Sequence, residues 1–445
     1  MRSVREIALR ILLELDAGSE RARNILDKTI RDLGLVNPDK SFLTELVYGT
    51  IRWRGRLDWI IRHLVRSKRI QPEIVEILRL GLYQLLFLSG VPDHAAVNES
   101  VELAKKYGHK GASRLVNAVL RRASTFPEGN FGIPDINADP VRHIAVRYSH
   151  PEFMVKRWIE RYGIDETVRL CSANNLRAPL YIRTNALKAS RDRLIQSLEE
   201  EGVTAAASRN LPESIEITSL PLSISELSSY KQGMFTVQDE GATLISHILD
   251  PQAGETIIDA CAAPGGKATH IAELMQNRGR VLAFDINAHR LPMVAESCRR
   301  LGITIVETIE ADARKLDKYI SEKADRVLVD VPCTGLGVLR RRVEARWRRT
   351  PDQFETLPEL QYAILSGAAQ CVKTGGVLLY CTCTIEPEEN QQVVARFLNT
   401  HPQFQIHNVL PEELKQVKNL VSAEGYVQTY PHLHNIDGFF AVRMQ

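Results

Sequence analysis

Between residues 4 and 122, apolar residues recur three and four positions apart: Val4, Ile7, Ile11 and Leu15, then Leu43, Leu46 and Val47, later Leu78, Leu82, Leu85 and Leu86. A helix brings such positions onto one face, so the spacing predicts an all-helical domain over residues 1–130. The pattern then lapses. Residues 126–143, FPEGNFGIPDINADPVRH, carry three prolines and two glycines without periodicity and read as a connection, with a linker expected over 131–149. Over 150–234, helix-like PEFMVKRWIERYG and RLIQSLEEEG alternate with strand-like PLYIRTNAL and SIEITSL, predicting a small α/β module. Beyond residue 235 the order becomes strand, Gly-rich turn, helix and strand, repeated through TIIDA, RVLAFDI, TIVETIEAD, DRVLVDV and GGVLLYCT, with GFFAVRM last. Alternation of this kind builds a parallel, doubly wound α/β sheet over 235–445.

Length and composition agree with several folded domains. The 445 residues exceed the roughly 100 to 200 of one ordinary domain, and 44% hydrophobic with 25% charged residues is a globular composition. No stretch reaches the roughly 18 apolar residues of a membrane span. The opening MRSVREIALRILLELDAG carries charges at helical spacing instead of an uncharged signal core. The expectation is a cytoplasmic chain with no membrane partner. Seven cysteines, an odd number spread through a long chain, are unlike a paired extracellular framework and are expected as reduced thiols. The net charge of +3 hides an asymmetry: residues 1–130 hold 22 Lys and Arg against 15 Asp and Glu, the remainder 35 against 39. A basic N-terminal third suits a polyanion, although a merely soluble surface can have the same excess.

The first α/β unit, ETIIDACAAPGGKATHIAELM, runs from a strand through Pro264, Gly265 and Gly266 into a helix from about Lys267. A ligand would sit at that helix's N-terminus. The turn is neither a Walker A loop, since Ala268 replaces the magnesium-holding Ser/Thr, nor GxGxxG; by itself it reads more readily as a packing turn than as a ligand site. Four acids strengthen the ligand reading: Asp259, Asp285, Asp312 and Asp330 each fall at the carboxyl end of a predicted strand. Asp285 lies at about the separation from the glycines at which an acid reaches a ribose hydroxyl, so a nucleoside-bearing cofactor fits. Any one of the four could instead be a helix cap.

Cys333 follows Asp330 in VLVDVPCTGLG, and Cys383 closes the next strand in LLYCTCT. In a doubly wound sheet these strands are neighbours, which turns both sulfurs toward one crevice and suggests covalent catalysis. Buried filler and a zinc-binding CxC stay open as alternatives. Zinc would need four converging ligands, and with no CxxC or HxxxH partner pair, no metal is expected. Residues i and i+2 of a strand face the same way, so alternation does not separate Cys381 from Cys383; position favours Cys383, nearer the strand end.

DACAAPGGKATH, DVPCTGLG, YCTCTIEPEEN and PHLHNIDGFFAVRM, with IRTN at 182–185 and FTVQDEGATL at 235–244, resemble the Nop/Sun family of S-adenosylmethionine-dependent RNA cytosine-C5 methyltransferases over residues 150–445. LGLYQLLFLSGVPDHAAVNESVELAKKYG followed by RLVNAVLRR is similar to the second half of NusB. The resemblance implies a NusB-like RNA-binding domain, an RRM-like module and a Rossmann-like catalytic domain. The implied cofactor is S-adenosylmethionine and the implied partner is small-subunit (16S) ribosomal RNA, unassembled or in an early precursor. It further implies that Cys261, Ala262, Ala263, Pro264, Gly265, Gly266 and Lys267 line the cofactor, that Asp285 holds its ribose, that Asp312 lies by its adenine, and that Asp330 meets cofactor and base. Cys383 becomes the nucleophile and Cys333 the group that assists release. Cys381 stands where the family often has serine. RRRVEARWRR replaces the family's Arg-His-Pro-Asp before a Trp, so this chain has no counterpart of that histidine.

Cytosine C5 needs activation, which a thiolate adding to C6 provides, and the base must leave its stack. Arg340, Arg341, Arg342, Arg346, Trp347, Arg348 and Arg349 offer phosphate contacts with an aromatic among them, or else a solvated basic helix. Two other readings are an RNA-binding adaptor with a non-catalytic core, and a DNA cytosine methyltransferase, in which the nucleophile would resemble the Pro-Cys position. Cofactor binding with methyl transfer, and RNA compared with DNA as acceptor, separate them.

Overall fold

The three-and-four spacing of the N-terminal third folds into helices, seen in a computed structural model that describes residues 3–18, 20–65, 69–126, 131–407 and 412–445. The chain divides into two compact units, Met1–Leu176 with Leu339–Arg348, and Arg177–Val338 with Arg349–Gln445. Among the described residues no helix is long and apolar enough to cross a membrane.

In the first unit, helices Val4–Ala17, Ala22–Leu33, Asp39–Arg52, Arg54–Leu64, Pro72–Phe87, Asp93–Tyr107 and Ala112–Ser124 enclose a core that includes the fully buried Leu9, Leu43, Leu46, Val47, Leu57, Ile77, Leu78, Leu82, Val116 and Leu120. Ser3 caps the first helix by accepting from Glu6 N, and Pro72 starts the fifth, where its missing N–H costs nothing. The expected linker is partly helical. Residues 127–130 lie outside the described residues, but Pro140–Arg147 is a helix with Asp139 as its N-cap, so this proline starts a helix instead of breaking one. Helices Glu152–Tyr162 and Ile164–Asn175 complete the unit.

The basic run is partly interior. Val343 is fully buried in the helical core, and Trp347 packs there while its Nε1 donates to Ile51 O at 2.7 Å. Arg346 is also fully buried; its guanidinium donates to Ser149 O at 3.1 Å, Asn174 O at 3.0 Å and Asn175 Oδ1 at 2.8 Å. Burial, with Arg52 next, pushes Arg346 down to about 9, which leaves it charged at neutral pH. Arg348 donates to Glu20 O at 2.7 Å. Arg346 is therefore a strut of the first unit, closed to the phosphate contact expected from its sequence, while Trp347 is half-buried beside it. Arg340 is buried, Arg341 half-buried and Arg342 exposed.

The second unit holds two sheets. The small one has order β2-β3-β1-β4, from β1 (Leu180–Thr184), β2 (Thr204–Ala207), β3 (Ser214–Ser219) and β4 (Phe235–Val237), all antiparallel. The large one has order β10-β11-β9-β8-β5-β6-β7, from β5 (Thr256–Asp259), β6 (Arg280–Asp285), β7 (Val306–Glu310), β8 (Ala324–Asp330), β9 (Val372–Thr382), β10 (Val427–Gln428) and β11 (Phe440–Met444). Strands β5 to β9 are parallel, but β11 runs antiparallel to β9, so the sheet is mixed. An antiparallel edge needs no crossover helix on return.

Side chains alternate across this sheet with period two. Ile257, Val281, Leu328 and Leu379 pack with Ile271 and Val294 of helices Gly266–Leu274 and Leu291–Leu301. Their neighbours Ile258, Leu282, Val327 and Leu378 pack on the other face with Leu365 and Phe397 of helices Gln353–Ala369 and Gln391–Thr400. Both faces are covered, and the carboxyl ends of the parallel strands remain for a site.

Candidate active site

Asp259, Asp285 and Asp330 are the last residues of β5, β6 and β8, and Asp312 follows β7 at the start of a 3-10 turn. Between Asp259 and the helix Gly266–Leu274 the chain turns through Cys261, Ala262, Ala263 and Pro264. Ala262 N donates to Phe284 O at 2.7 Å, fastening the turn to β6. Gly265 takes φ 102°, and a Cβ there would come 3.1 Å from Val294 Cα, so backbone and space both require glycine.

Asp285 is buried against this turn. It accepts from Ala263 N at 3.2 Å and Asn287 N at 2.9 Å, and Arg290 lies 3.3 Å away. Asp312 is held below the usual carboxyl range by hydrogen bonds from the Arg314 side chain. Asp330 meets Lys267 Nζ at 2.6 Å, and Cys381 Sγ lies 3.6 Å from its other oxygen. Burial would lower Lys267, but Asp330, then Cys381 and Asp259, outweigh it and raise the lysine, which stays charged. Burial, with Asp330 second, pushes Asp259 up to about 7.

Strands β8 and β9 are parallel neighbours with Asp330 opposite Cys381. Cys381 is fully buried, while Cys333 and Cys383, on the loops just beyond, are partly exposed. Their sulfurs lie 3.3 Å apart. The hydrogen bond with Cys383, then burial, raises the Cys333 thiol well above its usual range. Cys333 thus keeps its proton and can donate it in a hydrogen bond to the Cys383 sulfur.

Sequence reasoning missed what holds the two sulfurs together. Thr334 follows Cys333 and Thr384 follows Cys383, and their hydroxyls are 2.8 Å apart. The buried Glu389 carboxylate accepts from Thr334 N at 2.8 Å, from Gln361 Nε2 at 2.9 Å and from the Thr334 hydroxyl. Gly337 N donates to Cys383 O at 3.0 Å, and Asn390 Nδ2 to Thr384 O at 3.0 Å. Arg349, expected at an RNA surface, donates from Nε to Thr334 O at 2.6 Å and so braces the same loop. The available signal was EPEEN itself, whose acids the sequence explains equally well as helix-start residues.

Comparison with known proteins matches three stretches of the chain. Residues 246–445 match the 16S rRNA methyltransferase RsmB/F family, 2–125 the NusB family, and 150–222 the RsmF/B-like ferredoxin-like domain. The probable ribosomal RNA small subunit methyltransferase B of Bacillus subtilis is 36% identical, covering 100% of this chain and 98% of the relative. Its namesake from Synechocystis sp. is 38% identical, covering 100% of both. Among solved structures, PH0851 superposes with a TM-score of 0.83 at 29% identity, covering 99% of this chain and 98% of that one. NSun6 from Pyrococcus horikoshii with SFG has a TM-score of 0.60 at 25% identity, covering 66% of this chain and 98% of that one. With full-length relatives above 30% identity and a matching family over the domain that carries both cysteines, the chain belongs to the RsmB/F family of 16S rRNA methyltransferases.

Proposed function

We propose that this chain makes 5-methylcytosine in small-subunit ribosomal RNA, with Cys383 adding to C6 of the target base and Cys333 assisting release. The observation that carries the proposal is the pair of sulfurs 3.3 Å apart where two adjacent parallel strands end. S-adenosylmethionine fits the neighbouring rim: the Gly-Gly turn opens the helix Gly266–Leu274 there, and the buried Asp285 beside that turn suits a ribose hydroxyl. When bound, that cofactor supplies an electrophilic methyl group. The turn from Cys261 to Lys267 with Asp285, Asp312 and Asp330 would hold it.

The chain's own groups then divide the work. Cys383 forms the bond to C6, which makes C5 nucleophilic, and Asp330 at the N3 edge of the base favours that adduct. Once C5 is methylated it must lose its proton to a base before the C6–sulfur bond can break, and Cys333, with its own proton retained, lies beside that sulfur to protonate it as it leaves. The base needs to be flipped from any stack, which costs least in unpaired RNA, so unassembled RNA or an early precursor is the proposed substrate. Of the basic run, Arg342 is exposed and is the side chain we propose for phosphate contact. Reduced thiols and an RNA substrate suit the cytoplasm.

Bisulfite sequencing of small-subunit RNA from a strain lacking the protein, with and without the gene restored, tests this reading. One cytosine should lose and regain its methyl group. Full methylation without the gene, or transfer to DNA in preference to RNA, would contradict it.

The clamp beneath the sulfurs gives a separate expectation. Glu389→Ala removes an acceptor shared by several donors and should slow methyl transfer by roughly tenfold to a hundredfold, the scale of misplacing a reacting group by about an ångström. Cofactor affinity should not change. Glu389→Gln keeps an amide oxygen for Thr334 N and Gln361, and most of the rate should survive. Single-turnover rates beside a cofactor titration check this; equal loss of affinity would show that Glu389 supports the domain generally.

A further inference from the structure

Three side chains outside the proposed active site converge in the second unit. Glu213 precedes β3, His247 is near the end of the helix Glu240–Leu249, and His270 is on the helix Gly266–Leu274 that follows the Gly-Gly turn. Their ligand-capable atoms all lie within 4.8 Å of one another. Glu213 Oε1 is 2.7 Å from His247 Nε2 and 3.0 Å from His270 Nε2.

A hydrogen bond from His247 accounts for the first contact. It leaves His270 unexplained. That ring is 1% exposed, and although Nε2 is close to the carboxylate, neither ring nitrogen has a well-aligned hydrogen bond. Leaving buried polar atoms unsatisfied is costly, so a fully buried imidazole is normally engaged. A neutral imidazole has one ring nitrogen with a free lone pair, which a metal can take.

We propose that Glu213, His247 and His270 form a binding site for a divalent transition metal of the zinc class, with water completing the coordination. Two imidazoles and one carboxylate are a donor set that zinc takes readily. Tetrahedral zinc with bonds of about 2.0–2.1 Å sets ligand atoms about 3.3 Å apart and two Nε2-bound rings about 5.2 Å apart between centroids. The rings of His247 and His270 are 5.1 Å apart at 81°. The atoms around Glu213 Oε1, at 2.7 and 3.0 Å, need open by about 0.3 to 0.6 Å. Cysteine spacing in the sequence predicts no metal, but these ligands come from three distant segments and include no cysteine.

The site would be structural. It ties the turn before β3 in the small sheet to two helices flanking the large one, and His270 lies one turn beyond Gly266. A neighbouring interaction makes the same tie: Arg183 of β1 donates to Gly266 O at 2.9 Å and to Glu273 Oε1 at 2.8 Å. An ion at Glu213 would add a second fastening between the small sheet and the helix that begins the proposed cofactor site.

The test uses the full-length protein, stripped with a chelator and desalted, then titrated with Zn²⁺ against a chromophoric chelator and separately with Co²⁺. One zinc per chain and a rise in melting temperature are expected. Co²⁺ should give visible d–d bands without the near-ultraviolet charge-transfer band of a thiolate ligand. His247→Ala should weaken zinc binding by roughly a hundredfold or more and remove the d–d bands, whereas Cys333→Ala and Cys383→Ala should keep both. No stoichiometric uptake by the wild type would overturn the proposal and leave a metal-free Glu–His–His cluster. So would uptake unchanged in His247→Ala, or a thiolate band in the wild-type cobalt spectrum, which decides the matter even if the variant does not fold.

Discussion

Cys383→Ala is expected to abolish methyl transfer, with a loss of roughly four orders of magnitude or more, the scale of removing a covalent nucleophile. RNA and cofactor should still bind. Cys383 lies beyond the last residue of β9 and is partly exposed, so its truncation creates no large cavity and the melting temperature should stay within a few degrees of wild type. Cys381→Ala is the matched control. That sulfur is fully buried against Asp330, and its loss should cost about 1 kcal/mol of stability but little activity. Turnover measured beside thermal melts separates the two; activity surviving in Cys383→Ala would remove it from the reaction.

Asp330→Ala is expected to injure both folding and function. It strands the Lys267 ammonium, which is 13% exposed and paired with Asp330 at 2.6 Å. Removing one member of a buried pair costs about 3–5 kcal/mol, and the 29% exposure of Asp330 places this one near the lower end. The pH dependence has a definite sign. Lys267 is raised above its ordinary 10.5 in the folded chain, so the pair's contribution is fully present below 10.5 and is lost as the pH rises through the folded value. The gap between wild type and Asp330→Ala in urea midpoint should therefore hold across neutral pH and narrow in strong alkali. A gap that opens only in alkali would show that the pair does not stabilise the fold.

The candidate site is legible in the sequence wherever one strand end is enough to place a residue. Parallel strands bring their carboxyl ends to one rim, so Asp259, Asp285, Asp330, Cys333 and Cys383 follow from reading where each apolar run stops. What depends on a second segment is not legible. Glu389 looks like a helix-start acid, yet its partners Thr334 and Gln361 come from the loop after β8 and from the helix Gln353–Ala369. Glu213, His247 and His270 show no motif for the same reason. The basic run misleads differently: charge suggests solvent, while Arg346 satisfies buried carbonyls that only the folded helices present. Val343 and Trp347, four apart among the arginines, are the spacing that signals packing. The antiparallel return of β11 is likewise invisible, since GFFAVRM has the same apolar character in either direction.

Whether Cys383 attacks and Cys333 releases is tested most directly by denaturing gel electrophoresis of each variant after incubation with S-adenosylmethionine and small-subunit RNA. Cys333→Ala should attack and methylate, then remain bonded to its RNA as a band that survives denaturation. That band should vanish in the double variant with Cys383→Ala, and Cys383→Ala alone should form none. A trapped complex that appears when Cys383 is removed, and not when Cys333 is removed, would exchange the roles of the two cysteines and contradict the account.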